Sequence, residues 1–562
     1  MKRVFLCFYF QLFLLFIFAK SGNNTQILQS GHWVYDDLYT LCMESKQSIF
    51  IDNQPLSIGE LLFYLKNIDY ENLSDNTKFI YDKLYSFLKQ NDDFLPEQDV
   101  RLFVNLRLNP EFYYKTNDSI DWSFAYNYHD FAFTVPVIIG FSDYITIEPD
   151  FFIGKNYYYS QKNDNFINIP FAGNQMEFLF PRFAYGSTGK YFDNWGFNFH
   201  VGKEGLKIGN TCTGSIIYND TFETDAYFQL SFFNNILKYT MDVAQVDNSK
   251  YLYLHQLNIH PFSNFKFCMI EGSLLNSSFE LRYLNPFMIM HSFGSWYDYK
   301  NKLTEQELKL YREGHFCAYL AFTFEYMPFS NIRIYGLYAQ NEILDLGGSR
   351  SDSALSVPDS LGGQLGIQWN IPLKNNSYLK NQFEAVYTSP YLYVKQSPDW
   401  SLFRSRTDMQ TKKNIGSWIG SPFGPDTFSL YFESSYYTSD KWSLGASYNF
   451  TIHGENSIEN LFSKKETYDG VEIYSYYPSV EYGLAETEEQ KQDAKNKGRY
   501  MWMTGVNKFH NQFTLFSSYS ILENLKAYLS FSYNFIFNNL NEEGIFSQGI
   551  EFIFGIEYKI FK

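Results

Sequence analysis

The sequence predicts a mainly β protein: a transmembrane antiparallel β-barrel of about 18 strands, an even number, preceded by a small helical domain. Three observations carry this. From about residue 100 onward, apolar and polar residues alternate with period two over stretches of ten residues and more. Aromatics make up 20% of the chain, with 48 Tyr and 58 Phe, yet the mean hydropathy is only −0.31. The N-terminus has the anatomy of an export signal, and no later apolar run is long enough to cross a membrane as a helix.

Many aromatics at a polar average fit strands with one greasy face and one wet face. The formal net charge is −16 and no cluster of Lys and Arg stands out. That argues against nucleic acid as a partner, whose phosphates call for concentrated positive charge. Of five cysteines, Cys7 lies in the leader, and Cys42, Cys212, Cys268 and Cys317 are scattered without C-x-x-C or metal spacing. Spacing leaves their pairing open; free buried thiols are the favoured reading.

Lys2 and Arg3 precede an apolar run from Val4 to Phe18, and Ala19-Lys20-Ser21 supplies small residues for cleavage before Gly22. Residues 1–21 therefore read as a signal peptide, 22–98 as a helical domain, which the resemblance given below implies is periplasmic, and 99–562 as an outer-membrane barrel. In the helical part, Trp33, Leu38, Leu41 and Cys42 fall near helical spacing. Ser57 with Glu60 forms a capping-box pattern ahead of Ile58, Leu61, Leu62, Leu65 and Ile68. Ser74 or Asp75 caps a third helix striped by Phe79, Ile80, Leu84, Phe87 and Leu88. Three short helices are marginal alone, so the bundle is expected to dock on one end of the barrel.

The strands follow from alternation, because successive side chains on a strand point to opposite faces. Phe316, Ala318, Leu320, Phe322, Phe324 and Tyr326 oppose His315, Cys317, Tyr319, Ala321, Thr323 and Glu325. Phe428 to Tyr436 and Trp442 to Phe450 make a hairpin with matched faces, and Leu525 to Phe537 repeats the pattern. Glu325, Glu433 and Lys526 then face the lumen, where Tyr319, Tyr431 and Tyr528 narrow it. Spanning strands need about 9–11 residues, and in lipid every backbone polar group needs a partner, so the sheet must close. Ile550, Phe552, Phe554, Ile556, Tyr558 and Ile560 form the apolar face of a last strand; Phe561 is out of phase and Lys562 ends the chain. Thr304–Tyr311 and Ala485–Gly498 read as helical, solvated loop excursions.

Four collinear motifs carry a resemblance. Gln54-Pro55-Leu56-Ser57 with Glu60 enters the second helix, and Lys207 to Asp220 contains Gly209 and Thr213-Gly214-Ser215-Ile216-Ile217. Glu280-Leu281-Arg282-Tyr283-Leu284-Asn285-Pro286 reads as a strand end, and Gly416, Gly420, Gly424, Pro425 and Asp426 fit G-x-x-x-G-x-x-x-G-P-D. In this order they resemble the Wzi-type capsule assembly proteins, outer-membrane barrels with a periplasmic helical domain. Where that family reads R-W-G-P-G-Y-x-G-S-L, this chain has Ile208 at the tryptophan position and Asn210 and Thr211 at the proline and second glycine positions. The resemblance implies a lectin-like role in holding surface polysaccharide; a transport pore and an adhesion barrel are the alternatives. It implies outer-membrane lipid, surface polysaccharide and the outer-membrane assembly machinery as partners.

A sugar site needs aromatic faces plus carboxylates and amides for hydroxyls. Within the long segment 394–427, Trp400, Arg404, Arg406, Trp418 and Asp426 are the candidate carbohydrate-binding residues. Catalysis is not expected. His255 and His260 are five apart and face opposite sides, His129-Asp130 point apart, and His315 and Glu325 are too distant for one metal. No G-x-S-x-G, H-E-x-x-H or phosphate loop is found, and no cofactor is implied.

Overall fold

A computed structural model of the chain describes residues 24–89, 100–122, 131–142, 144–155, 163–177, 183–221, 224–287, 290, 316–342, 356–407, 414–438, 441–462, 465–468, 471–522 and 524–560. The signal peptide, Thr304–Tyr311, His129, His315, Phe561 and Lys562 lie outside the described residues.

The barrel has 18 antiparallel strands. The first, β1, is broken into Val100–Val104, Arg107–Leu108 and Glu111–Lys115. Then come β2 (Phe133–Phe141), β3 (Ile145–Lys155), β4 (Ala184–Tyr191), β5 (Trp195–Glu204) and β6 (Asp225–Asn234). They are followed by β7 (Leu237–Asp247), β8 (Lys250–Phe262), β9 (Phe265–Asn276), β10 (Phe316–Tyr326), β11 (Ile332–Gln340) and β12 (Leu361–Pro372). The series ends with β13 (Ser377–Thr388), β14 (Thr427–Thr438), β15 (Trp442–His453), β16 (Lys508–Leu522), β17 (Leu525–Phe537) and β18 (Phe546–Lys559). Each pairs with its neighbour in sequence, and β18 closes on β1 through Glu551↔Lys115 to Gly555↔Glu111 and Tyr558↔Leu108. Closure leaves no edge strand, as lipid requires.

The alternation read from the sequence is the inside–outside alternation of the wall. On β10, Cys317, Tyr319, Ala321, Thr323 and Glu325 are buried in the lumen while Phe316, Leu320, Phe322 and Phe324 face out. Outward side chains such as Phe151, Val201, Leu365, Phe432, Phe513 and Leu515 are exposed, a continuous apolar surface that a water-facing protein would not keep. Connections at one end are turns of two to five residues. Near them sit exposed aromatics including Tyr144, Trp195, Phe262, Phe329 and Trp442, the girdle expected at a lipid–water interface. The long connections leave from the other end.

Helices α1 (Trp33–Ser45), α2 (Ile58–Lys66) and α3 (Asp75–Lys89) form the expected three-helix unit. Leu38, Leu41, Leu61, Leu65, Ile80, Leu84 and Leu88 make its core. Ser57 caps α2 by accepting the Glu60 N–H at 3.3 Å. The Glu60 side chain does not complete the box. It accepts from Lys238 Nζ at 2.5 Å and from Tyr64 Oη at 3.1 Å, because a buried lysine of the wall competes for it.

The unit sits on the short-turn end. Ser48 N donates to Ser263 O at 2.8 Å, Asn331 N to Met43 O at 2.7 Å, and Asn76 Nδ2 to Leu373 O at 2.7 Å. Inside the mouth, Lys266 pairs with Asp52 at 2.9 Å and with Glu325 at 3.3 Å, and Arg333 Nε donates to Glu325 at 2.6 Å. Ser48 Oγ also donates to Glu325. Cys42, Cys268 and Cys317 are buried free thiols, and Cys212 is a half-buried one.

One motif is corrected. Leu281–Leu284 is a short 3-10 turn, not a strand end. Tyr283 packs on the outward-facing Val243, Tyr253 and Leu275, so an apolar segment with a strand-like pattern folds back along the outer wall instead of extending it.

Candidate functional site

Two loops enter the lumen from the long-connection end and pack against its wall. In the first, residues 205–224, Lys207–Ile208 reach far enough to pair with Asn53–Gln54 of the helical unit. The loop is pinned on the way. Cys212 N and Thr213 N donate to the Glu384 carboxylate at 2.9 and 3.0 Å, joined by the Thr213 and Tyr335 hydroxyls. Ile216 O accepts from Tyr393 Oη at 2.6 Å and Tyr319 Oη at 3.2 Å. Ile208, Ile216, Ile217 and Tyr218 are then part of the largest buried cluster, with Leu254, Ile270, Tyr319 and Leu337 of the wall. One of the four segments that carried the resemblance, Lys207 to Asp220, is therefore the plug. Its sequence signal was an Ile216-Ile217-Tyr218 run inside a loop.

The second loop, 389–426, contains all five predicted site residues. Trp400 and Trp418 are each 6% exposed and belong to the same buried cluster. Arg404 donates to Asp225 Oδ2 at 2.6 Å and to Asn219 O at 2.8 Å. Arg406 donates to Asp225 Oδ1 at 2.8 Å. Asp426, at φ 59°, accepts from Asn456 N at 3.1 Å and Thr504 N at 3.0 Å. Burial pushes its carboxyl above the usual aspartate range, against those hydrogen bonds. The glycines shape the same loop: a Cβ on Gly420 would collide with Tyr393 and Ile216 O, and Gly424 has φ 79°. The structure thus brings the two arginines together on Asp225 and the two tryptophans into one core, and it places Asp426 apart from both. All five make contacts within the protein.

An open site lies above them. Asp426 holds Asn456 and Thr504, and both line a cleft of about 730 Å³ at the long-connection rim. Its walls come from loop 389–426, from helix α4 (Ile458–Phe462), and from the segment that carries α5 (Pro478–Leu484) and α6 (Glu488–Arg499). Helix α6 is the helical excursion expected near 485–498, with a capping box between Thr487 and Gln490. Tyr391, Tyr476 and Tyr500 supply rings; Asn456, Asn460 and Asn496 supply amides; Glu455, Glu481 and Lys497 supply charge.

The positions of these groups are fixed. Tyr476 Oη donates to Lys395 O at 2.7 Å, Glu455 accepts from Val506 N at 2.8 Å, and Lys497 pairs with Glu481 at 3.1 Å. Tyr500 is 47% exposed and offers a free face. Flat rings beside paired donors and acceptors can hold a molecule with apolar C–H faces and many hydroxyls. Among the described residues no group of three His, Cys, Asp or Glu is arranged to hold a metal ion.

No family model matches the chain, and no curated protein matches it. Solved structures do. One is Wzi of Escherichia coli, described as an outer membrane protein involved in group 1 capsule assembly and a carbohydrate-binding β-barrel. It shares 12% identity over 94% of this chain and 98% of its own, with a TM-score of 0.55. Pseudomonas aeruginosa OprD shares 9% identity over 82% and 95%, with a TM-score of 0.37. Vibrio cholerae OmpT in its loop-deletion form shares 8% over 82% and 100%, with a TM-score of 0.29. At these identities the likeness to Wzi is one of fold: an 18-stranded antiparallel barrel with a helical region at its N-terminus.

Proposed function

We propose that this chain is an outer-membrane protein that binds surface polysaccharide at the long-connection rim and neither catalyses a reaction nor conducts solute. In this reading the signal peptide is removed after Ser21, the assembly machinery inserts the barrel, and the helical unit faces the periplasm. The observation that carries it is the cleft of about 730 Å³, ringed by three tyrosines, three asparagines and two glutamates, above a lumen filled by the plug. A pore would need that lumen open. Similarity in fold to a carbohydrate-binding barrel supports the same reading.

The test has a cellular arm and a binding arm. A strain lacking the gene should shed polysaccharide into the medium, and unchanged retention would refute the proposal. Tyr500→Ala removes the exposed stacking face. It should weaken binding of the strain's own polysaccharide to purified protein by up to about tenfold, the scale of one aromatic contact, with the barrel still folded.

A further inference from the structure

A second, smaller cleft lies across α4 from the first. Ile458 and Phe462 border it, whereas Asn460 and Leu461 border the larger one. Its volume is about 360 Å³, and its wall includes Lys250, the first residue of β8. Lys250 is 3% exposed. Its ammonium donates to Pro398 O at 2.8 Å and to Phe403 O at 2.7 Å, and among the described residues it makes no ion pair. An ammonium carries three donors, so one is left for the cleft. Two carbonyl oxygens are its direct partners, and the carboxylates of Asp247 and Asp399 act on it through space without pairing to it, so a carboxylate brought to the third donor would make the direct ion pair that they do not.

The rest of the wall selects what carries the carboxylate. Phe403, Phe462 and Tyr474 present rings, and Asn248 and Asn276 present amides. Asp247 and Asp399 also line the cleft. Asp247 already accepts from Ser405 Oγ and from Asn248 N at 2.7 Å. These acids would repel a second negative charge and accept from hydroxyls. We infer that the smaller cleft takes a sugar residue bearing a single carboxylate, with its carboxylate on Lys250 and its neighbours in the chain crossing α4 into the larger cleft. This rests on the polysaccharide reading above and names the chemistry of the sugar.

The experiment uses the full-length protein in detergent and two probes by calorimetry: a hexasaccharide of alternating glucose and glucuronic acid, and the same molecule with its carboxyls reduced to alcohols. The acidic form should bind about tenfold tighter, the scale of one charge-assisted hydrogen bond. Lys250→Met should bring the two forms to parity, and Lys250→Arg should restore the preference. Equal affinities in the natural protein, or a preference that survives Lys250→Met, overturn the inference and leave the polysaccharide reading standing. Failure of both probes to bind overturns both. Should Lys250→Met not fold, judged by heat-modifiable migration, the two-probe comparison on the natural protein still decides.

Discussion

Glu325 joins three bodies, so neutralising it should loosen a defined region. Its carboxylate, 2% exposed, accepts from Arg333 at 2.6 Å, from Lys266 at 3.3 Å and from Ser48 of the helical unit. Lys266 also pairs with Asp52, and Arg333 donates to Asn210 O of the plug at 3.0 Å and lies 4.6 Å from the Tyr39 ring. Glu325→Gln keeps the shape and removes the charge. Breaking a buried pair by removing one partner costs about 3–5 kcal/mol. Here Lys266 retains Asp52, and Arg333 retains Asn210 and Gln368, so the lower end, about 3 kcal/mol, is expected. The loss falls on the contact between helices and wall, because the rest of the barrel keeps its ladder. Hydrogen exchange of amides in 33–89 should therefore accelerate roughly 150-fold, with β15–β17 unchanged. Unaltered exchange in 33–89 with a normally folded barrel would refute the view that this carboxylate fastens the helical unit.

Two further outcomes follow from the same geometry. His32 caps α1, accepting the Val34 N–H through Nδ1, and its pKa is lowered to about 3 by burial first and by Lys559 and Arg107 second. A histidine neutral in the fold and free to protonate near pH 6.5 when unfolded makes the helix less stable as pH falls from 6.5 toward 3. About 1–2 kcal/mol should be lost locally between pH 7 and pH 5. Lower protection of α1 amides at pH 5, taken relative to the slower intrinsic exchange at that pH, should disappear in His32→Asn, which keeps a capping acceptor; the same acid sensitivity in the variant would count against this cause. Replacing Asn210–Ile217 with a short Gly-Ser linker removes the contacts to Glu384, Gln364, Tyr319 and Tyr393. The natural protein should carry no steady current in a planar bilayer and the variant should conduct. A large current from the natural protein would mean that the plug does not seal the lumen.

Much of the barrel was legible because a strand between lipid and lumen writes its two environments into alternate residues. Phe322 and Phe324 face out and Ala321 and Thr323 face in, so period two survives even where the inner residues are uncharged. The helices were legible from their stripes and from Ser57. The plug was not. Residues 207–220 follow no period, because their partners come one at a time from β10, β11, β12, β13 and the helical unit. Nor does a tryptophan on a long loop say whether its face is open or packed: Trp400 and Trp418 read as platforms and are core. Arg404 and Arg406 read as ligand donors, yet their acceptor Asp225 sits nearly 180 residues upstream, where sequence gives no sign of the pairing. The larger cleft was missed for the same reason. It is assembled from Tyr391, Glu455–Leu461, Ser475–Glu481 and Asn496–Gly505, and one of those stretches read simply as a solvated helix.

The two ends of the lumen are filled in different proportions of charge and apolar packing, and on the proposed reading this bears on what the rim can do. Toward the short turns the contacts are ionic: Lys238 with Glu60, Lys266 with Asp52, Arg333 with Glu325. Each pair is buried, so it fixes register more than it adds net stability. Toward the long connections an apolar cluster that includes Ile216, Ile217, Tyr393, Trp418 and Leu402 is joined by the buried pairs of Asp225 with Arg404 and Arg406. On the proposed reading, a rim seated on that core would lose little ordering entropy on binding, because Tyr476, Glu455 and Asp426 are already hydrogen-bonded in place. A conducting barrel would need the reverse, a wet centre and mobile loops. On the proposed reading, filling the lumen would give up passage and provide a rigid floor, and a rigid floor would favour retention of a long, weakly held chain, where each sugar contact adds little and preorganisation decides the sum.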